Sequence, residues 1–289
     1  MPLRFHSFPL ILSALALLGA GSPCGAAVLS ATAAGAGDYN LTSVTVSRDG
    51  NNFTYTPAQL TGVDLADIDA YQLPILVQSG ASLPASGTRA TLLEDNRLDT
   101  GIINITTTNG TPDRSAELTF NQPVVNSDGA DILLFDVAGT DGIRWWINDD
   151  RTSQSADLLP ASNSPALLSG MPFTLYQYSN PAQSNNILSL SDLESDSSNF
   201  SFSANSSGTV HALELDLSTV GVPIGGSVSS IRFQTLTGVT GAGTGRIDPV
   251  MVVGLPAVPE PSGVTFIGAL LLAGAAQRSQ RTQRCQEVR

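Results

Sequence analysis

Apolar and polar residues alternate over short distances along much of this chain. The pattern appears in "LTSVTVS" at 41–47, "IINITTT" at 102–108, "AELTF" at 116–120 and "NFSFSA" at 199–204, with Gly, Asn, Asp, Ser and Pro between the runs. Successive side chains of a strand point to opposite faces, so many short runs of period two broken by turn residues predict an all-β fold. "HALELDL" puts Leu213, Leu215 and Leu217 on one face and Glu214 and Asp216 on the other, as a half-buried antiparallel strand requires. "SIRFQTL" does the same, with Ile231 and Phe233 inward and Arg232 and Gln234 outward. "DILLFDV" is apolar on both faces and belongs in the centre of a sheet.

One stretch departs from this period. In "TPAQLTGVDLADIDAYQL" the positions Leu60, Val63, Asp67 or Ile68, and Tyr71 are spaced more like a helix, which predicts a short helix or an irregular connection. The Ser/Asn-rich stretch 179–198 predicts a long loop. No repeat is present, so the expectation is one β-sandwich domain, jelly-roll-like, over residues 28–254.

Composition narrows the function classes. An apolar share of 42% in 289 residues can bury a substantial core, which excludes disorder across the whole chain. Lysine is absent, and between Val28 and Val258 there are 8 arginines against 23 acids, a formal charge of −15. Such a body repels phosphate backbones, so nucleic acid is excluded as an expected partner.

The two ends have a different character. Arg4 and His6, an apolar segment from Phe8 to Leu18, and small residues around Gly25, Ala26 and Ala27 follow the order of a secretory signal peptide, expected to occupy residues 1–27 with cleavage near Ala26 or Ala27. Cys24 precedes that cut and Cys285 lies in the tail, so the body folds without a disulfide. At the other end, about 14 apolar residues from Gly263 to Ala276 fall short of the ~20 that span a bilayer comfortably as a helix, and Arg278, Arg281, Arg284 and Arg289 follow them. Positive charge after an apolar run favours retention of that end in the cytoplasm. Before the run, Pro259 and Pro261 fix φ and remove two backbone donors, so "VPEPS" predicts an exposed, extended segment accessible to proteases.

This tail, over residues 255–289, resembles the PEP-CTERM sorting signal. The resemblance implies that an exosortase-type membrane enzyme recognises Pro259, Glu260 and Pro261 and processes the chain beside them. It also implies a transient membrane anchor at the C-terminus and delivery to the cell surface or exopolysaccharide matrix of a Gram-negative-type bacterium. A second resemblance lies in the body, where "LLEDNRLDTGI" followed by "AELTF" is similar to the loop-then-strand opening of discoidin-type, galactose-binding-like sandwiches. Gly101 and Ile102 stand where that family carries an aromatic.

Candidate chemistry in the body is sparse. His211 is the only histidine beyond the signal segment, there is no G-x-S-x-G elbow, and no zinc spacing occurs, so no catalytic residues are assigned and the chain is not expected to be an enzyme. Glycoside hydrolysis by paired carboxylates is the enzyme alternative that the acids leave open. His211 shares strand parity with the three leucines after it and is expected at a strand end. Hard oxygen donors in "LEDNRLDTG", "NSDGAD" and "INDDR" offer calcium positions, with Asp95, Asn96 and Asp99 the leading set, although Asp, Asn and Gly also serve simply as turn formers. Six Asn-x-Ser/Thr sequons are read as strand and turn composition.

"GIRWWINDDR" is the stretch best suited to touch a ligand. Strand parity sends Trp145 to the core and Trp146 outward beside Arg144 and Asn148, where an exposed indole stacks on a sugar ring and Asn148, Asp149 and Asp150 bond its hydroxyls. The competing expectation is a Trp146 packed under a loop or against Arg144. The leading functional expectation is therefore an exported surface or matrix protein with a structural or adhesive role. A carbohydrate-binding module, calcium-dependent or not, is the alternative.

Overall fold

The structure is a computed structural model that describes residues 27–33, 40–48, 51–71, 74–78, 93, 101–102, 115–127, 129–137, 142–148, 150–151, 154–158, 166–178, 187–189, 191, 200–236 and 248–257. The strands among these residues are, in chain order, β1 (Ala27–Ala33), β2 (Leu41–Arg48), β3 (Asn51–Tyr55), β4 (Val63–Tyr71), β5 (Pro74–Gln78), β6 (Gly101–Ile102), β7 (Ser115–Val125), β8 (Ile132–Val137), β9 (Ile143–Trp146), β10 (Ser155–Leu158), β11 (Ala166–Tyr178), β12 (Ile187–Ser189), β13 (Phe200–Leu215), β14 (Ser227–Thr235) and β15 (Pro249–Gly254). Short 3-10 turns are present at Pro57–Gln59 and Leu217–Val220. The protein is all-β, as the alternation predicts.

The strands form three antiparallel sheets. A small sheet runs β1-β2-β3, a second runs β10-β9-β14-β7-β4-β12, and a third runs β15-β8-β13-β11-β5-β6. The chain passes repeatedly between the two large sheets, for example from β7 to β8 to β9 and from β13 to β14 to β15.

Side-chain parity explains the layering. Ile132 and Leu134 of β8, Leu213 and Leu215 of β13 and Val252 of β15 meet Val63, Leu65, Leu118, Trp145, Ile231 and Phe233 of the other large sheet in one apolar cluster. The intervening residues turn the other way. Leu133, Phe135 and Val137 of β8, Val210 and Ala212 of β13 and Val253 of β15 meet Ala31, Leu41, Val44, Val46 and Tyr55 of the small sheet in a second cluster. Every residue of β8 is buried because the strand lies between two cores, which is why "DILLFDV" is apolar on both faces.

β13 corrects two expectations at once. Phe200–Ala204 of "NFSFSA" and His211–Leu215 of "HALELDL" belong to one long strand that pairs with β11 along its first part and with β8 at its end, and Leu217 lies in the 3-10 turn that follows. His211 therefore lies within a strand, opposite Asp136, rather than at a strand end. The face opposite the leucines is not uniformly open either, since Val210 and Ala212 are buried in the second cluster.

The helix-like stretch is a strand with a bulge. Val63, Leu65 and Ile68 are buried, and the pairing with β7 slips between Leu65 and Asp67. An extra residue in one strand reverses its parity, so spacings of two and then three along the chain imitate a helical period. Only the Pro57–Gln59 turn ahead of it is helical. Within 179–198, where a loop is expected, β12 pairs with β4.

The chain divides into the units Met1–Pro256 and Ala257–Arg289. Residues 1–26 and 258–289, which hold nearly all of the expected signal peptide, the Pro259, Glu260 and Pro261 motif and the apolar tail, lie outside the described residues. No helix among the described residues is long and apolar enough to cross a membrane.

Candidate functional site

The "GIRWWINDDR" segment supplies β9, which pairs with β10 on one side and with β14 on the other. Ile143 and Trp145 enter the first cluster, so Arg144 and Trp146 project from the outer face of the sheet, as parity predicts. Pairing then lays out two rows on that face. Asp157, Arg144 and Gln234 form one, and Ser155, Trp146, Arg232, Glu117 and Asp67 form the other.

The first row is anchored by a two-pronged ion pair. Arg144 donates from Nε to Asp157 Oδ1 at 2.6 Å and from Nη2 to Oδ2 at 2.8 Å, the parallel geometry that suits a guanidinium and a carboxylate. The hydrogen bonds from Arg144 hold the Asp157 carboxyl below its ordinary range. Both side chains are about a third exposed, so the pair fixes geometry more than it adds stability. In the second row Arg232 pairs with Glu117 and reaches Asp67 at 3.4 Å and Ser115 at 3.3 Å.

Trp146 does not offer an open platform. It retains 5% exposure, and the Arg151 guanidinium carbon lies 5.7 Å from the centre of its ring. The loop between the strands turns back so that Asp150 donates its backbone N–H to the Ile147 carbonyl and Gln154 donates to that of Asp150. Asn148 adopts a left-handed φ of 54°, which Asn tolerates better than most residues, and donates from Nδ2 to Gln154 Oε1 at 3.3 Å. The structure thus favours an indole packed under an arginine over one stacked on a sugar. Arg144 is committed to Asp157, and Asp149 lies outside the described residues.

Sequence reasoning missed Arg151 and the partner role of Asp157. The second was available in principle, because a hairpin centred on the loop places Asp157 opposite Arg144. Gln234 is expected outward and is outward, yet it is 3% exposed and its Oε1 has no hydrogen-bond partner among the described residues.

The proposed calcium loops fare differently from one another. Asp95, Asn96 and Asp99 lie outside the described residues, and among the described residues no three His, Cys, Asp or Glu side chains cluster as a metal set. In "NSDGAD", Asp131 uses its carboxylate on protein donors. Oδ1 accepts from Ser127 N at 2.8 Å and Ser127 Oγ at 2.9 Å, and Oδ2 accepts from Leu217 N at 3.0 Å. Burial nevertheless pushes its pKa up to about 6, against the opposing pull of those donors and of Arg48.

His211 and Asp136 occupy facing positions on β13 and β8, and Asp136 Oδ1 accepts from Asp248 N at 2.7 Å. That bond makes Asp136 a structural acceptor at the start of β15. Comparisons with protein-family models, with curated proteins and with solved structures return no match.

Proposed function

We propose that the chain is an exported protein of the cell surface or exopolysaccharide matrix of a Gram-negative-type bacterium, with a structural or adhesive role. An exosortase-type enzyme would sort it through Pro259, Glu260 and Pro261. The observation that carries this reading is the order of signals at the two ends: a signal peptide first, then "VPEPS", a short apolar run and spaced arginines last. The body between them is compatible with that route, since an all-β unit without cysteine needs no oxidative step to fold. Repeated passage of the chain between two large antiparallel sheets supports the finer reading of a jelly-roll-like sandwich.

Sorting is tested by intact-mass measurement on protein released from the surface of an exosortase-bearing host. The expected species lacks Cys285 and ends near Pro259 to Pro261. A released form that always keeps residues 262–289 would overturn the sorting reading.

A further inference from the structure

We infer that the outer face of the small β1-β2-β3 sheet is a docking surface for a neutral polysaccharide. Its inner face is fully committed, since Ala31, Val44, Val46 and Tyr55 belong to the second apolar cluster. The residues of opposite parity therefore face outward, and they are almost all hydroxyl-bearing. Pairing aligns Ser30, Thr45 and Thr54 in one row across all three strands and sets Thr32 opposite Ser43 in the next.

These hydroxyls are held in place rather than left to rotate. Thr45 Oγ1 lies 2.9 Å from Thr54 Oγ1, Thr32 Oγ1 lies 2.7 Å from both Thr42 Oγ1 and Ser43 Oγ, and Thr42 Oγ1 donates to the Thr32 carbonyl at 2.9 Å. A hydroxyl has one donor and two acceptor sites, so a bonded pair still presents bonding capacity to solvent. β-Branching at threonine restricts χ1 further, which lowers the entropy lost when a partner binds.

Charge selects the partner. Along β1, β2 and β3 the single charged side chain is Arg48, which is 2% exposed, whereas the whole body carries −15. An anionic polymer meets repulsion from the surrounding body and gains no cation on this face. A cationic one is drawn to the acids elsewhere. A second copy would bury hydroxyls against hydroxyls, because the apolar side of the sheet is already covered. A neutral polyol matches what is presented. Each exchange of water for a sugar hydroxyl gains little, so retention requires a polymer long enough to engage several rows at once. The matrix reading supplies the biological source of the polymer, and the inference rests on it to that extent only.

The test is affinity electrophoresis of the full chain through gels containing neutral dextran, pullulan or galactomannan, with anionic alginate alongside. The expected result is retardation by a neutral polymer, not by alginate, and no competition from free glucose. Thr45→Val combined with Thr54→Val keeps the shape and removes the hydroxyls, and should weaken retention about tenfold, as loss of roughly two hydrogen bonds implies. Thr45→Ser should retain binding, and far-UV spectra should match throughout. Retardation by none of the neutral polymers overturns the inference, while the mass of the released chain tests sorting separately. Retention lost in Trp146→Ala but kept in the double valine variant moves the contact to the other sheet and overturns it. Loss in Thr45→Ser equal to that in the valine variant removes the hydroxyl chemistry. A valine variant that abolishes self-association makes the face a contact between copies and also overturns the proposal.

Discussion

Arg48 Nη1 donates to the carbonyl of Pro256 at 3.1 Å, joining the end of β2 to the last residue of the first unit. Its Nη2 donates to the Ala130 carbonyl, and the side chain is 2% exposed. Nearby, Leu255 donates its N–H to the Asp131 carbonyl at 2.7 Å. Segments far apart in sequence are therefore fastened at one buried junction.

Replacing Arg48 should be costly for that reason. Arg48→Met keeps most of the apolar stem but leaves the Ala130 and Pro256 carbonyls without their donor, and the expected loss is about 2–4 kcal/mol. Chemical denaturation measures it. A loss below about 0.5 kcal/mol, the range of an ordinary surface substitution, would mean the junction does not hold the body together.

Asp131 gives a pH dependence whose sign is opposite to that of a salt-bridged acid. Its folded pKa of about 6 lies above the ordinary 3.8, so the fold favours the protonated form. Its contribution is fully present below about pH 4 and is lost as pH rises through 6, on the order of 3 kcal/mol in all. Asp131→Asn holds the position neutral and should flatten this part of the profile. Urea unfolding at pH 4, 5, 6 and 7 compares the two proteins, and parallel profiles would refute the assignment.

Trp146 and Arg151 should differ sharply in cost. Trp146→Ala removes a side chain that is 5% exposed and is expected to cost about 3–5 kcal/mol. Arg151→Ala removes the cation over the ring, for an expected loss of about 0.5–1 kcal/mol. Near-neutral stability in Trp146→Ala would show that the indole is not part of the packed structure.

Gly254 is required by close approach. A Cβ there would run into Val124 Cγ2 and lie 3.2 Å from Thr61 Cβ, where Thr61 and Gly254 exchange backbone hydrogen bonds. Gly254→Ala should destabilise by about 1–3 kcal/mol, visible as a lower unfolding midpoint. An unchanged midpoint would show that β7 yields easily at Val124.

Sequence pattern revealed those parts of the fold in which each residue's neighbours follow from parity. The all-β class, the burial of "DILLFDV" on both faces and the outward direction of Trp146 are of that kind. Parity fails at a bulge, and the slip between Leu65 and Asp67 disguised β4 as a helical stretch. It is also silent on what covers a face. Trp146 points outward as expected, but Arg151 closes over it from a loop whose path no periodicity encodes. The small sheet adds a third layer for the same reason, since the gathering of Val210 and Ala212 with Val44 and Val46 in one cluster is a long-range event.

β15 is the last strand among the described residues and contributes to both clusters, with Val252 in one and Val250, Met251 and Val253 in the other. Neither core can close until that strand has been delivered. A chain that emerges N-terminus first therefore leaves both cores incomplete until residue 254 is free to pair.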